Sequence, residues 1–119
     1  MNVDKQKLKE MYQKGDLNYV FRQAHIISDF LLTRYFKIYD YDDRMDLVQE
    51  CLENFYKKIV QNKVDANNNI FSFIWANSSF TVRERLRKQR KRESIVKFYS
   101  LDEALNYKRM EEESEEQNN

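Results

Sequence analysis

The residues of this chain best suited to chemistry form a cationic run. Arg83, Arg85, Arg87, Lys88, Arg90, Lys91 and Arg92 stand between positions 83 and 92, opposed within that stretch by Glu84 alone. Seven like charges in ten residues of a helix repel one another at neighbouring turns, and an external line of negative charge relieves that repulsion. A phosphodiester backbone supplies such a line, with counterion release driving much of the affinity. The competing readings are a solvated helix with no ligand and a membrane surface. Gln89 within the run and the lack of a strong apolar face argue against the membrane. Directly upstream lies Ile70-Phe71-Ser72-Phe73-Ile74-Trp75, so one helix offers rings at its start and cations at its end. Phe73 and Phe80 fall on a different face from Phe71, Ile74, Val82 and Leu86. Rings placed in this way, together with the polar loop of Asn67, Asn68 and Asn69, suit a base that has left its stack.

Groups suited to bond-making are few. His25 is the only histidine and sits in an apolar stretch of helix, where a structural role is expected because a lone imidazole needs partners to act. Cys51 recurs with the core stripe of its helix and is expected to be a buried, inert thiol. Asp40, Asp42, Asp43 and Asp46 lack the spacing and the glycine of a calcium loop. There is no glycine-rich phosphate cradle, and the expectation is a binding protein rather than an enzyme, with no cofactor or metal. A second surface has the opposite character. Asp46, Gln49, Glu50 and Glu53 form an acidic, polar strip unsuited to nucleic acid and suited to contact with a protein.

Helices must position these groups. A single glycine and no proline in 119 residues leave few interruptions, and the default is an all-α fold. Residues 4–14 predict a short helix through Leu8, Met11 and Tyr12, broken by Gly15, with Asp16 as the next N-cap. From Leu17 to about Tyr39, the positions Val20, Ala24, Ile27, Leu31, Tyr35 and Ile38 recur at steps of three and four, one stripe of an amphipathic helix. Asp42 or Asp43 is expected to cap a third helix reaching about Val64, buried through Leu47, Val48, Cys51, Leu52, Phe55 and Ile59, with Asn54 and Lys57 on its solvent side. A fourth helix is expected from Ile70 to about Ile95, buried through Phe71, Ile74, Trp75, Ser78, Val82 and Leu86. Ser100, with Glu103 three residues on, reads as the capping box of a short last helix. Beyond Met110 the acidic composition predicts disorder. The organisation expected is a leading helix and turn over 1–16, a helical domain over 17–98, and a short helix with an acidic tail over 99–119. The N-terminus has no secretory signal and no stretch has the length of a membrane span, so a cytoplasmic protein is expected; the lone cysteine fits a reducing compartment.

The order of these parts resembles a known family. Asp46-Leu47-Val48-Gln49-Glu50, then the rest of its helix, an asparagine-rich loop, and Phe71-Ser72-Phe73-Ile74-Trp75 running into the basic stretch are similar to the second conserved region of bacterial sigma factors. The length and the basic ending look closest to phage late-transcription sigma factors and the small extracytoplasmic-function class. The resemblance covers about residues 17–103. It implies a compact bundle of four to five helices of the sigma region-two kind, in a bacterial or phage-infected cytoplasm. It also implies that Asp46, Gln49, Glu50 and Glu53 dock on the β′ clamp helices of core RNA polymerase. Promoter DNA of the minus-ten region would meet Asn67, Asn68, Asn69, Phe71, Phe73, Trp75, Asn77 and Phe80, with Arg83, Arg87, Lys88, Arg90 and Lys91 on its phosphates. Where primary sigma factors carry a Trp-Trp pair, this chain has residues close to Asn77 and Ser78. No helix-turn-helix for an upstream element follows residue 103, so a factor lacking that domain is expected. Residues 98–105 are a candidate contact for a second factor or a sliding clamp. The alternatives are a stand-alone helical DNA- or RNA-binding regulator, and a module whose basic helix meets an acidic partner.

Overall fold

In the computed structural model, which describes residues 1–65, 67 and 69–113 and their side chains as far as Ser94, four α-helices follow one another. Helix α1 (Lys5–Lys14) opens where the Asp4 carboxylate accepts a hydrogen bond from the Lys7 N–H at 3.0 Å. It stops at Gly15, whose φ of 80° lets its N–H turn back onto the carbonyls of Met11 and Tyr12. A side chain bearing a Cβ resists that left-handed backbone, so the glycine ends the helix where the sequence predicts. Asp16 then caps α2 (Leu17–Arg34) by accepting from the Tyr19 N–H at 3.1 Å.

The expected stripe of α2 holds at Val20, Ala24, Ile27 and Leu31, all buried. The helix ends at Arg34, however, short of Tyr39, and Tyr35 and Tyr39 are exposed. Arg44 donates to the carbonyls of Ile38 at 3.4 Å and Tyr39 at 3.0 Å, and its Nε meets the Asp29 carboxylate at 2.6 Å. With Lys37 in the left-handed region at φ 55°, the chain leaves the helical path, and Arg44 ties the segment that follows to Asp29.

Helix α3 (Tyr41–Val60) is capped by Asp40, not by Asp42 or Asp43. Asp40 accepts from the Asp43 N–H at 2.9 Å, and Asp42 and Asp43 lie in the first turn, where the helix dipole favours negative charge. The helix closes at Gln61, with Asn62 at φ 55°. Val64, expected as its last turn, is a buried residue of the following loop, and Tyr12 donates to its carbonyl at 3.4 Å.

Helix α4 (Ile70–Glu113) begins at Asn69, whose side chain accepts from the Ser72 N–H at 3.1 Å. It continues through Ser100, which therefore opens no separate helix. Between 70 and 113 there is neither glycine nor proline, and a capping signal inside a run of good helix formers does not stop the run. Glu111 to Glu113 are likewise helical rather than disordered. The acidic tail from Ser114 lies outside the described residues.

The chain divides into two units, Met1–Glu84 and Arg85–Asn119. In the first, Leu8, Val20, Ala24, Ile27, Phe55, Val64, Ile70 and Ile74 form one apolar cluster, so α1 shares the core of the helices that follow it. In the second, residues 85–113 are helical. The fold is all-α, with no strand among the described residues, and no described helix is long and apolar enough to cross a membrane. Phe55 is fully buried, with its ring 5.6 Å from Phe21 and 6.0 Å from Phe73. Phe55→Ala is expected to lower unfolding stability by about 3–5 kcal/mol, and Asp40→Ala by about 1 kcal/mol, both read by urea denaturation.

Candidate functional site

Within Met1–Glu84, a polar seam fixes which face of α4 is presented. The Ser28 and Ser78 hydroxyls lie 2.9 Å apart in the interior, and the Cys51 thiol donates to the Ser78 carbonyl at 3.8 Å. Asn77 Nδ2 donates to the Cys51 carbonyl at 3.3 Å, Thr81 Oγ1 to the Asn77 carbonyl at 2.8 Å, and Asn54 Nδ2 to Thr81 Oγ1 at 3.1 Å. Two expectations are corrected here. Asn77, expected on a nucleic-acid surface, is only 3% exposed and turned into the interior. Asn54 is half-buried against α4 and not on the solvent side of α3. In both, a short polar side chain reads as surface in an apolar-periodicity argument but satisfies a neighbouring helix.

The rings expected to form one site fall into two groups. Phe71 and Trp75 stack at 6.0 Å and 24°, and Trp75 also meets Phe30 at 6.4 Å and Tyr35 edge-on at 5.3 Å. Lys5 of α1 stands 4.5 Å from the centre of the Phe71 ring. Half-buried in this way, Phe71 and Trp75 serve the packing of α1, α2 and α4, beside a shallow apolar depression lined with Met1 and Phe30. Phe73 and Phe80 lie toward α3, with Phe73 half-buried against Phe55 and Phe80 61% exposed. Lys58 of α3 lies over both, its Nζ 5.6 Å from the Phe73 centroid and 6.0 Å from that of Phe80. The sequence reading did not single out Lys58. The only signal was a lysine late in a helix that precedes the loop.

Of the asparagine loop, Asn67 is exposed, and its N–H is held by the Asp65 carboxylate at 2.9 Å. Asn69 is exposed but spends its side-chain oxygen on the α4 cap. Asn68 lies outside the described residues. Arg83 is exposed, one turn beyond Phe80. In the second unit, Arg87, Lys88, Arg90, Lys91 and Arg92 are exposed along the helix, and Gln89 donates to Glu93 at 3.4 Å. The side chains of residues 98–105 are not among those described.

On α3, Asp46, Gln49 and Glu53 are exposed and Glu50 is half-buried. Their spacing puts them on one face, and Gln49 donates to Glu53 at 3.4 Å. Gln49 and Glu53 border a shallow apolar depression floored by Phe21, Leu52 and Tyr56, which continues past Phe21 and Leu52 toward Ile26. His25, expected as a structural residue, is instead exposed on the rim of that continuation.

No family model matches the chain, nor does any curated protein or solved structure. What the site can do therefore rests on its own geometry. Among the described residues, no three metal-ligating side chains gather. Cys51 is 1% exposed, and burial pushes its thiol up to about 11, with the charge of Glu50 adding to the rise. At neutral pH the reactive thiolate is nearly absent. Alkylation of native Cys51 by iodoacetamide at pH 7.5 (about one unit below the ordinary thiol value) is expected to proceed only at the rate of unfolding, and to become rapid in denaturing urea, as followed by mass spectrometry.

Proposed function

We propose that the chain is a sigma-like initiation factor that docks on core RNA polymerase through α3 and engages the minus-ten region of promoter DNA through α4. The observation that carries this reading is the strip of Asp46, Gln49 and Glu53, exposed on one face of α3 beside the Phe21, Leu52 and Tyr56 depression. The depression is bordered by Glu53 and Gln49 on one side and by Lys57 on another, and an apolar floor with a polar, mixed-charge rim suits an amphipathic helix of a protein partner. The cations of α4 suit the phosphates of DNA, with Arg83 in the first unit and Lys88, Arg90 and Lys91 in the second. Two surfaces of opposite charge call for two different partners, and an initiation factor has both. The all-α fold and the order of an acidic helix, a loop and an aromatic-to-basic helix agree with the resemblance to sigma region two. In this reading the factor makes and breaks no covalent bond. It lowers the free energy of open promoter DNA by holding bases and phosphates that the closed duplex does not offer.

Two sets of substitutions separate the partners. Asp46→Ala, Gln49→Ala and Glu53→Ala together are expected to abolish co-purification with core RNA polymerase while leaving DNA affinity unchanged or slightly raised. Lys88→Gln, Arg90→Gln and Lys91→Gln together are expected to leave polymerase capture intact and to lower the salt dependence of promoter binding by roughly three phosphates' worth of counterions. Duplex binding without polymerase, together with no polymerase capture by the unaltered chain, would assign it instead as a stand-alone regulator.

A further inference from the structure

Helices α2 and α3 together leave an apolar face uncovered. Phe21 and Leu52 lie half-buried at its middle, while Ile26 on α2 and Tyr56 on α3 stand 43% and 54% exposed. A contiguous apolar patch rimmed by polar groups marks a surface for another macromolecule. The two rims differ in charge. On α2 the rim holds Arg22, whose positions at helical spacing, Asn18, Tyr19, His25 and Ile26, include no acid. On α3 the rim holds Glu53. Asp29 meets Arg44 toward one end, and Phe21 meets Phe55 and Tyr56 toward the other. The two helices therefore run antiparallel, and Arg22 stands about level with Glu53 across the face.

We propose that this face receives a second copy of the chain, in a two-fold dimer whose axis runs between α2 and α3 along their length. That operation lays α2 of each copy on α3 of the other, as in a four-helix bundle. Arg22 of one copy then faces Glu53 of the other, and symmetry makes the contact twice. Ile26 comes down on the Leu52 side of the second copy and Tyr56 on its Phe21 side. Lys57, on the α3 rim beyond Glu53, meets the neutral Asn18. An axis across the helices at this level sets Arg22 on Arg22 and Glu53 on Glu53, and like charges reject that pairing. A uniformly basic or acidic partner would match one rim and be repelled by the other, whereas a second copy brings both complements. The face is smaller than the roughly 20–30 residues a side of a stable complex, so the dimer is weak, with a dissociation constant on the order of 10 μM. Within it Gln49 and Glu53 are covered, and a paired chain does not dock on polymerase. That consequence rests on the proposed function; the dimer itself does not.

The test is sedimentation velocity of the full chain from about 1 to 300 μM, a range that brackets the expected dissociation constant. The unaltered chain is expected to pass from monomer to dimer. Arg22→Glu and Glu53→Arg each set like charges together at both contacts, and each alone is expected to weaken the dimer about tenfold. Mixed in equal amounts, the two variants should pair with each other as tightly as the unaltered chain does, because each contact again joins a carboxylate to a guanidinium. Both residues are exposed, and unchanged circular dichroism verifies that each variant is folded. Ile26→Asp should abolish the dimer. The inference is overturned if the unaltered chain stays monomeric throughout, if the single variants dimerise as tightly as it does, or if mixing them restores nothing. Core polymerase added to the labelled dimer is expected to carry off one chain per polymerase, and Arg22→Glu should be captured at least as well as the unaltered chain. Capture of two chains by one polymerase overturns the masking. No capture of any variant, with the dimer and its rescue on mixing intact, sinks the initiation-factor reading alone.

Discussion

Beside the apolar contacts of Ile70 and Ile74, α4 meets α2 and α3 through small polar side chains, and the presentation of the first unit's surface follows from them. Ser28 against Ser78, Cys51 against the Ser78 carbonyl, and Asn77 Nδ2 against the Cys51 carbonyl are directional interior contacts, with Asn77 Oδ1 the buried side-chain atom left without a partner among the described residues. An apolar stripe alone would tolerate a small rotation of α4, because the hydrophobic effect has no direction. Hydrogen bonds in a dry interior do have direction, and leaving one unmade costs about 1–3 kcal/mol. With Asn77 and Ser78 turned inward, Phe73 and Phe80 come to lie beside Lys58, and Phe71 and Trp75 turn to the other side, toward α1 and α2.

Under the proposed sigma-like reading, this register departs from the pattern of the primary class. The positions close to the Trp-Trp pair of that class are here interior residues at the seam. Phe80 is the large exposed ring in the described part of α4. Glu53, Gln49 and Lys57 border an apolar floor made by α2 and α3, and cations line α4.

Much of the fold was legible in the residues. Gly15 and Asp16 marked the first break, the stripe of Val20, Ala24, Ile27 and Leu31 marked the buried face of α2, and Cys51 followed the core of α3. What escaped was decided by contacts distant in sequence. Nothing near Arg34 predicts its helix end, because the group that helps fix it, Arg44, comes from the following helix. Asp40 takes the cap that Asp42 and Asp43 were equally suited to take, since its own backbone is extended at ψ 125°. Asn77 and Asn54 escape because a short polar side chain is buried as readily as an apolar one where a neighbouring helix supplies its partner. For the candidate site, charge and aromatic content were visible in the sequence, but the split of the rings into two groups and the arrival of Lys58 from α3 depend on how the helices lie together.

The central claim is that this chain opens promoter DNA in company with RNA polymerase. It is tested most directly by the fluorescence of a base analogue placed in the non-template strand of a minus-ten element. The account predicts a rise in fluorescence only when core polymerase and the chain are both present. No rise with both, or an equal rise with the chain alone, would contradict it.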